Sequence, residues 1–196
     1  MKVFTIFLVA ALLAACGNTR PAVERQSFLI RTERSAPMAV APVAGVLRVA
    51  RVVVAPPFDQ RALVYRRGDV RYETDFYNQF AADPPDMLAE AVAGWLRQGG
   101  LFQRVVAPAG AAPADYRLDT SVSAFYVDFQ ANPPSAVISL RWHLVRERDG
   151  STLLENDSRQ RVALAEKSPD GAVRALRDGL QLALGELEAA LAAIRY

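Results

Sequence analysis

Cys16, the only cysteine of the chain, closes a stretch whose residue types fit one covalent chemistry. Lys2 supplies a positive start, residues 3–15 are apolar apart from Thr5, and Leu13-Ala14-Ala15-Cys16 puts small side chains where a peptidase must close on the backbone. That order is a secretion signal, and its apolar run is too short to span a bilayer. A peptidase cutting before Cys16 leaves a thiol to carry diacylglycerol and an amine open to acylation. Each buried methylene contributes about 0.8 kcal/mol, so two or three acyl chains anchor durably where one is marginal. The reading adopted is lipidation at Cys16, over an ordinary signal with an incidental cysteine. Gly17 stands next, where an Asp would favour retention at the inner membrane. The expected location is therefore the outer membrane, periplasmic face, lipid-anchored.

Other chemistry is thin. His143 is the one histidine, and it shares a strand face with Ser139 and Arg141, opposite Trp142. That face points to solvent or a polar groove. Zinc wants several His or Cys ligands, and no Asp-rich loop of calcium pattern occurs, so no metal is expected. A serine nucleophile would need a motif around His143 that is missing, and no P-loop or dinucleotide glycine fingerprint is present. The carboxylate pairs Asp83/Asp86 and Glu155/Asp157 could do acid–base work on a glycan, but capping and a solvated face explain them. The basic residues are scattered, almost all arginine, with no run that suggests nucleic acid. The expectation is a binding protein with no catalytic residue and no cofactor.

Residues 65–85 crowd aromatics among arginines and aspartates. Aromatic and Arg enrichment on a connecting segment is what protein interfaces favour. The candidate partner-binding residues are Tyr65, Arg66, Arg71, Tyr72, Phe76 and Tyr77. The alternative is that these rings fill the gap between a sheet and a helix, and different rings can do different jobs.

The elements that must position these residues follow from patterning. Residues 1–15 read as the signal peptide, 16–25 as a lipidated tether and 26–196 as one domain, with 52% hydrophobic residues to build its core. An edge strand is expected at 26–32. The β-branched stretch 46–55, apolar on both sides, reads as a central strand covered on both faces. A hairpin turning at Gly68-Asp69 joins 62–67 to 70–73. Asp83 and Pro84 open a helix over 84–98 that Gly99-Gly100 stops. After a strand at 102–106, three strands form a meander: 116–129 with a bulge near Ala124, 137–147, and 152–164 beyond the Asp149-Gly150 turn. The last helix, 169–194, carries a stripe from Val173 to Ile194 stepping by three and four, either a coiled-coil seam or, as preferred, one face lying on the sheet. Both Trp95 and Trp142 sit on apolar stripes and are expected to be buried. The fold class is α+β: a single domain, a twisted and mostly antiparallel sheet with two helices packed on it.

The order of these pieces resembles a known family. A lipobox precedes Leu47-Arg48-Val49 to Val54. Then come Pro57-Phe58, Ala62-Leu63-Val64-Tyr65-Arg66, a Pro-led helix with Trp95-Leu96, Phe102-Gln103-Arg104-Val105-Val106 and Ala114-Asp115-Tyr116-Arg117-Leu118. The chain resembles, over roughly 28–194, the ABC-type transport auxiliary lipoproteins, the PqiC-like components of MCE/ABC lipid-transport systems. The resemblance implies a non-catalytic lipoprotein subunit of a trans-envelope phospholipid transport system. Its partner would be an MCE-domain protein and, through it, an ABC permease and ATPase; self-association into a homo-oligomer stays open. Where many relatives carry Trp-Ala-x-Pro before the first helix, this chain reads Phe80-Ala81-Ala82-Asp83-Pro84, which suggests a subgroup. The alternatives are a periplasmic carrier holding a hydrophobic ligand in its own core, or an outer-membrane assembly lipoprotein. The lipobox makes a direct prediction: Cys16→Ala should block cleavage before this residue and abolish incorporation of a fatty-acid probe, read by metabolic labelling.

Overall fold

The computed structural model describes residues 24–34, 42–107 and 113–196, so Cys16 and the signal lie outside the described residues. In chain order the elements are β1 (Gln26–Phe28), β2 (Val43–Val49), β3 (Val53–Val54), β4 (Ala62–Arg66), β5 (Tyr72–Phe80), α1 (Pro84–Gly99), β6 (Phe102–Val106), β7 (Tyr116–Asp128), β8 (Ser135–Arg146), β9 (Ser151–Ala163) and α2 (Pro169–Ala192). The strands form one mixed sheet, and two helices pack on it, as an α+β domain requires.

β7 is its spine. One edge of β7 runs antiparallel to β8 from Tyr116↔Arg146 to Asp128↔Ser135. The other edge is shared in series and in parallel by β2, β3 and β4. β6 flanks β2, β5 and then β1 flank β4, and β9 extends the sheet beyond β8. The long ladders are antiparallel and the short ones parallel. The register of β7 on β8 slips between Val122 and Ala124, where a bulge was expected. It lets Leu118 and Val122, then Phe125 and Val127, all reach the core.

The stretch 46–55 departs from expectation. It is two strands, not one, because three residues separate Val49 from Val53 while two separate their partners Leu118 and Ser121. The extra residue shifts the alternation, so Leu47, Val49, Val52 and Val54 are all buried while Val53 is 67% exposed. The stretch is covered on one face only. β1 is also shorter than expected. After Phe28 the chain leaves the sheet and lies along α1, where the Ile30 N–H meets Met87 Sδ at 3.5 Å and Thr32 Oγ1 donates to the Ala91 carbonyl at 3.0 Å.

α1 starts without a side-chain cap. Pro84 and Pro85 have no N–H to offer, and the Asp83 carboxylate instead accepts from Arg61 Nε at 2.7 Å. Gly100 ends the helix at φ 72°, a left-handed conformation that glycine adopts without Cβ strain. α2 is capped as expected, by Ser168 Oγ accepting from the Gly171 N–H at 3.0 Å. Its stripe, Leu176, Leu180, Leu184, Leu187 and Leu191, is buried on β7, β8, β9 and α1 rather than in a coiled coil. Each such leucine contributes about 1.5–3 kcal/mol by leaving water.

Two buried carboxylates brace the layers. Glu188 on α2 pairs with Arg34 and accepts from Trp95 Nε1 at 3.3 Å, while the Arg34 guanidinium lies 4.9 Å from the Trp95 ring centre. Asp128 at the end of β7 accepts from Arg66 of β4 at 3.3 Å and Arg161 of β9 at 3.1 Å. Trp95 is thus half-buried at the seam of the helices, less covered than its stripe suggested, whereas Trp142 of β8 has no exposure at all. Truncating Trp142 to Ala should therefore cost about 3–5 kcal/mol. Equilibrium urea unfolding checks this, and the loss is expected to exceed that of Trp95→Ala.

Candidate docking site on strand β5

The aromatic segment folds as a hairpin arm with an interruption. β5 runs antiparallel to β4, and Arg66↔Tyr72, Tyr65↔Glu73 and Val64↔Thr74 are regular pairs. The next pair is Ala62↔Gln79, so residues 75–78 stand opposite Leu63 alone. The second arm is accordingly longer than the 70–73 expected from sequence: four residues loop out and the strand resumes to Phe80.

Asp75 holds this bulge. Its Oδ1 accepts from the backbone N–H of Tyr77 at 2.9 Å and of Asn78 at 3.0 Å. Its Oδ2 accepts from Asn78 Nδ2 at 2.9 Å and from the Tyr65 hydroxyl at 3.0 Å. Aspartate is suited to this because a short carboxylate can bond its own backbone two and three residues on. Burial works to raise the Asp75 carboxyl, but the bonds from Asn78, Tyr77 and Tyr65 outweigh it and hold the group below the usual carboxylate range. The Tyr65 hydroxyl is pushed well up, first by burial and then by the neighbouring Asp75 charge.

The candidate residues then divide. Tyr65 is turned inward, its ring edge-on to Phe129 at 5.4 Å, and Phe80 stacks on Phe125 inside. Arg66 is mostly covered and committed to Asp128. Tyr72 is 41% exposed, its ring edge-on to Tyr126 at 5.3 Å and Phe58 at 6.1 Å. Arg71 is exposed and 3.5 Å from Glu73. Phe76 is 62% and Tyr77 42% exposed, packed edge-to-face at 5.4 Å on the outside of the bulge. The hairpin tip adds Val70, which the sequence reading did not single out and which is almost fully exposed.

One contact was not legible in the sequence. The Arg25 guanidinium lies 4.7 Å from the Phe76 ring centre, and β1 pairs with the end of β5 through Gln26↔Asn78 and Phe28↔Phe80. The chain therefore enters the domain beside the bulge. The separation in sequence hides a contact that only the parallel β1–β5 pairing makes.

On β8, His143 and Arg141 are tied to β9. His143 Nε2 lies 2.8 Å from Thr152 Oγ1, and Arg141 holds Asp157 through two bonds of 2.6 and 2.9 Å. Among the described residues no group of three or more His, Cys, Asp or Glu is placed to hold a metal ion. No described helix is long and apolar enough to cross a membrane.

Fold and site together define a class, an α+β domain whose exposed aromatics among the described residues, Tyr72, Phe76 and Tyr77, lie along one interrupted strand. The chain belongs to the ABC-type transport auxiliary lipoprotein component family, whose model matches residues 28–187. The crystal structure of protein XCC0632 from Xanthomonas campestris is similar, with a TM-score of 0.73 and 21% identity over 83% of this chain and 92% of that one. The crystal structure of an uncharacterised protein aligns with a TM-score of 0.68 and 18% identity over 85% of this chain and 97% of that one. At such identities the likeness shows the fold alone. No curated protein matches the chain.

Asp75 carries a prediction. A carboxyl whose folded pKa lies below its unfolded value of about 3.9 stabilises above that value, and the contribution is lost as pH falls through the folded pKa. Asp75→Ala should cost about 1–3 kcal/mol at pH 7 through its stranded donors. The gap from wild type, measured by urea unfolding, should narrow as pH is lowered from 4 towards 2.

Proposed function

We propose that this chain is a non-catalytic, lipid-anchored subunit that docks partner proteins of an MCE/ABC-type trans-envelope lipid-transport system. Cys16 is its lipidation site, the periplasmic face of the outer membrane its location, and the β5 bulge with Tyr72, Phe76 and Tyr77 its docking surface. The reading is supported by membership of a transport auxiliary lipoprotein family and carried by one observation. Two large rings, Phe76 and Tyr77, are held outside the fold by a side chain, Asp75, that spends four hydrogen bonds on their backbone and neighbours. A bulge that served only the fold would gain more by turning its apolar rings inward, out of water. Rigid aromatics bury area at low cost in conformational entropy, which is why they dominate binding energetics.

The position of the bulge fits the anchor. From Cys16 to Arg25 the chain can reach at most about 35 Å when fully extended. Because Arg25 packs on Phe76, a partner engaged there sits within that distance of the lipid.

One observation favours a second reading, the carrier. Between 29–32 and α1 runs an open groove of about 440 Å³, lined by Leu29, Ile30, Met87, Ala91 and Gly94 among others. The layer between sheet and helices is filled by fully buried Leu47, Trp142, Leu180 and Leu184, so a carrier would have to use this surface groove rather than the core.

Alanine variants of Tyr72, Phe76, Tyr77, Arg66 and Arg71 separate the readings. Losing a central aromatic at an interface costs about 2 kcal/mol or more in affinity, whereas a surface change alters stability by about 0.5 kcal/mol. Phe76→Ala or Tyr77→Ala should keep the melting temperature and lose co-purification with the MCE-domain protein. Normal co-purification of all five variants would place docking elsewhere, and bound lipid in the purified protein, lost on filling the groove with Ala91→Trp, would favour the carrier.

A further inference from the structure

β9 leaves one side of the sheet open. Among the described residues it pairs with β8 alone, so along its 13 residues every second backbone N–H and C=O points away from the ladder. An edge of this length is a template for strand addition, and proteins usually blunt it with charge or proline. This edge has no proline, and its charges are sorted by sign: Glu155 and Asp157 precede Ser158, and Arg159 and Arg161 follow it. The pattern is a mirror about Ser158. Asp157 is matched by Arg159, Asn156 by Gln160, Glu155 by Arg161, and Leu154 by Val162. Blunting an edge needs charge only; it does not need charge of opposite sign at equal distances from one residue.

We infer that β9 is the surface on which a second copy of this chain adds, antiparallel and centred on Ser158, to make one continuous sheet. Around a twofold axis at Ser158, Asp157 faces Arg159 of the second copy and Glu155 faces its Arg161, each contact occurring twice. Parallel addition in register would set like charges against each other, so the pattern also selects the direction. Directly opposite charges on adjacent strands are favourable and like charges unfavourable.

The side chains stand ready for this pairing. Glu155, Asp157, Arg159 and Arg161 are exposed on the face away from α2. Asp157 is held in place by Arg141, and Arg159 has no ion-pair or hydrogen-bond partner among the described residues. Arg161 reaches back to Asp128 at 3.1 Å yet stays 45% exposed. On the other face, Ser158 Oγ donates to Glu186 Oε2 at 2.6 Å and Gln160 Nε2 to Glu186 Oε1 at 2.8 Å, which fixes the strand on α2. Leu182 lies one turn before Glu186 on that flank of α2 and is 55% exposed. Since α2 lies over β9 and β8, strand addition at about 4.8 Å brings that flank beside its copy and gives Leu182 apolar cover. The inference does not depend on the reading of β5.

The test is the mass of the full lipidated protein in detergent, with micelles in excess, by size-exclusion chromatography with light scattering. Wild type is expected to run as a dimer or an even-numbered assembly built from dimers. Arg159→Glu sets two like-charge contacts across the axis and should weaken the dimer roughly tenfold or more. It touches no partner in the monomer, so its melting temperature should stay near that of wild type under monomeric conditions. The swap Asp157→Arg with Arg159→Asp restores opposite charges and should restore the mass. A wild-type mass that Arg159→Glu leaves unchanged, monomeric or larger, overturns the inference. So does a loss of mass that the swap fails to restore while both variants remain folded.

Discussion

A buried strand must satisfy both edges of its backbone, and β7 meets that requirement in a way that dictates the rest of the fold. At about 3.3 Å per residue its 13 residues extend roughly 43 Å, longer than any strand in the first half of the chain. β8 matches it along one edge, and no single early strand is long enough for the other. β2, β3 and β4 therefore take successive stretches, with Val54↔Val122 ending one tenancy and Tyr65↔Val127 beginning the next. The bulge between Val122 and Ala124 falls in this gap, where the opposite edge changes partners. It re-phases β7 so that both halves still present apolar residues to the helices. Parallel pairing on that edge forces long returns between strands, and α1 with the chain around it fills one such return.

Series sharing leaves ends that the ladder alone does not hold, and buried carboxylates close them. Asp128 ends β7 and joins Arg66 of β4 to Arg161 of β9, elements far apart in sequence. Burial raises its pKa, and the bonds from Arg161 and the Gln130 N–H together with the Arg66 charge bring it below the ordinary range. The sign makes this bracing strongest above the carboxylate range and lost in acid. Glu188 does the same work at the helix seam, where Gly99 leaves no Cβ to block its approach. Removing one partner from such a buried pair costs more than the pair contributes, since the remaining charge is stranded. Arg66 and Arg34 are consequently part of the architecture, although by composition they look the same as the free arginines.

What the sequence showed and what it hid follow from the range of the interactions. Periodicity found both helices, the β7–β9 meander, the bulge near Ala124 and the stripe of α2, because each is a local pattern with a burial direction. The sequence reading failed where a distant partner decided the outcome. The one-residue phase shift at 50–52 is invisible in a run of valines and shows only against β7. Residues 29–32 were expected to continue the edge strand but were captured by α1. Asp83 reads as a cap, and Arg61 claims it. The aromatic segment was legible as a mixture and not as a division. Composition gave Tyr65, Arg66, Arg71, Tyr72, Phe76 and Tyr77 equal standing, while Asp75 separates the inward ring it bonds from the outward pair it displays.

The two surfaces lie on opposite sides of β7, and this separation has a mechanical consequence. β5 reaches β9 only through β4, β7 and β8, four strand spacings or about 19 Å along the sheet. A partner on the β5 bulge and a second copy on β9 would not compete for the same surface. The chain enters beside β5, so β9 lies on the far side of the sheet from the tether's attachment to the domain. A pair joined through β9 would carry its two tethers and its two aromatic bulges at its outer ends. Each copy then contributes one bulge to a partner assembly, and the two engagements reinforce each other through effective concentration whenever the partner presents repeated sites. Surfaces that share an edge strand could not be combined in this way, since strand addition would bury or displace the bulge it sits beside.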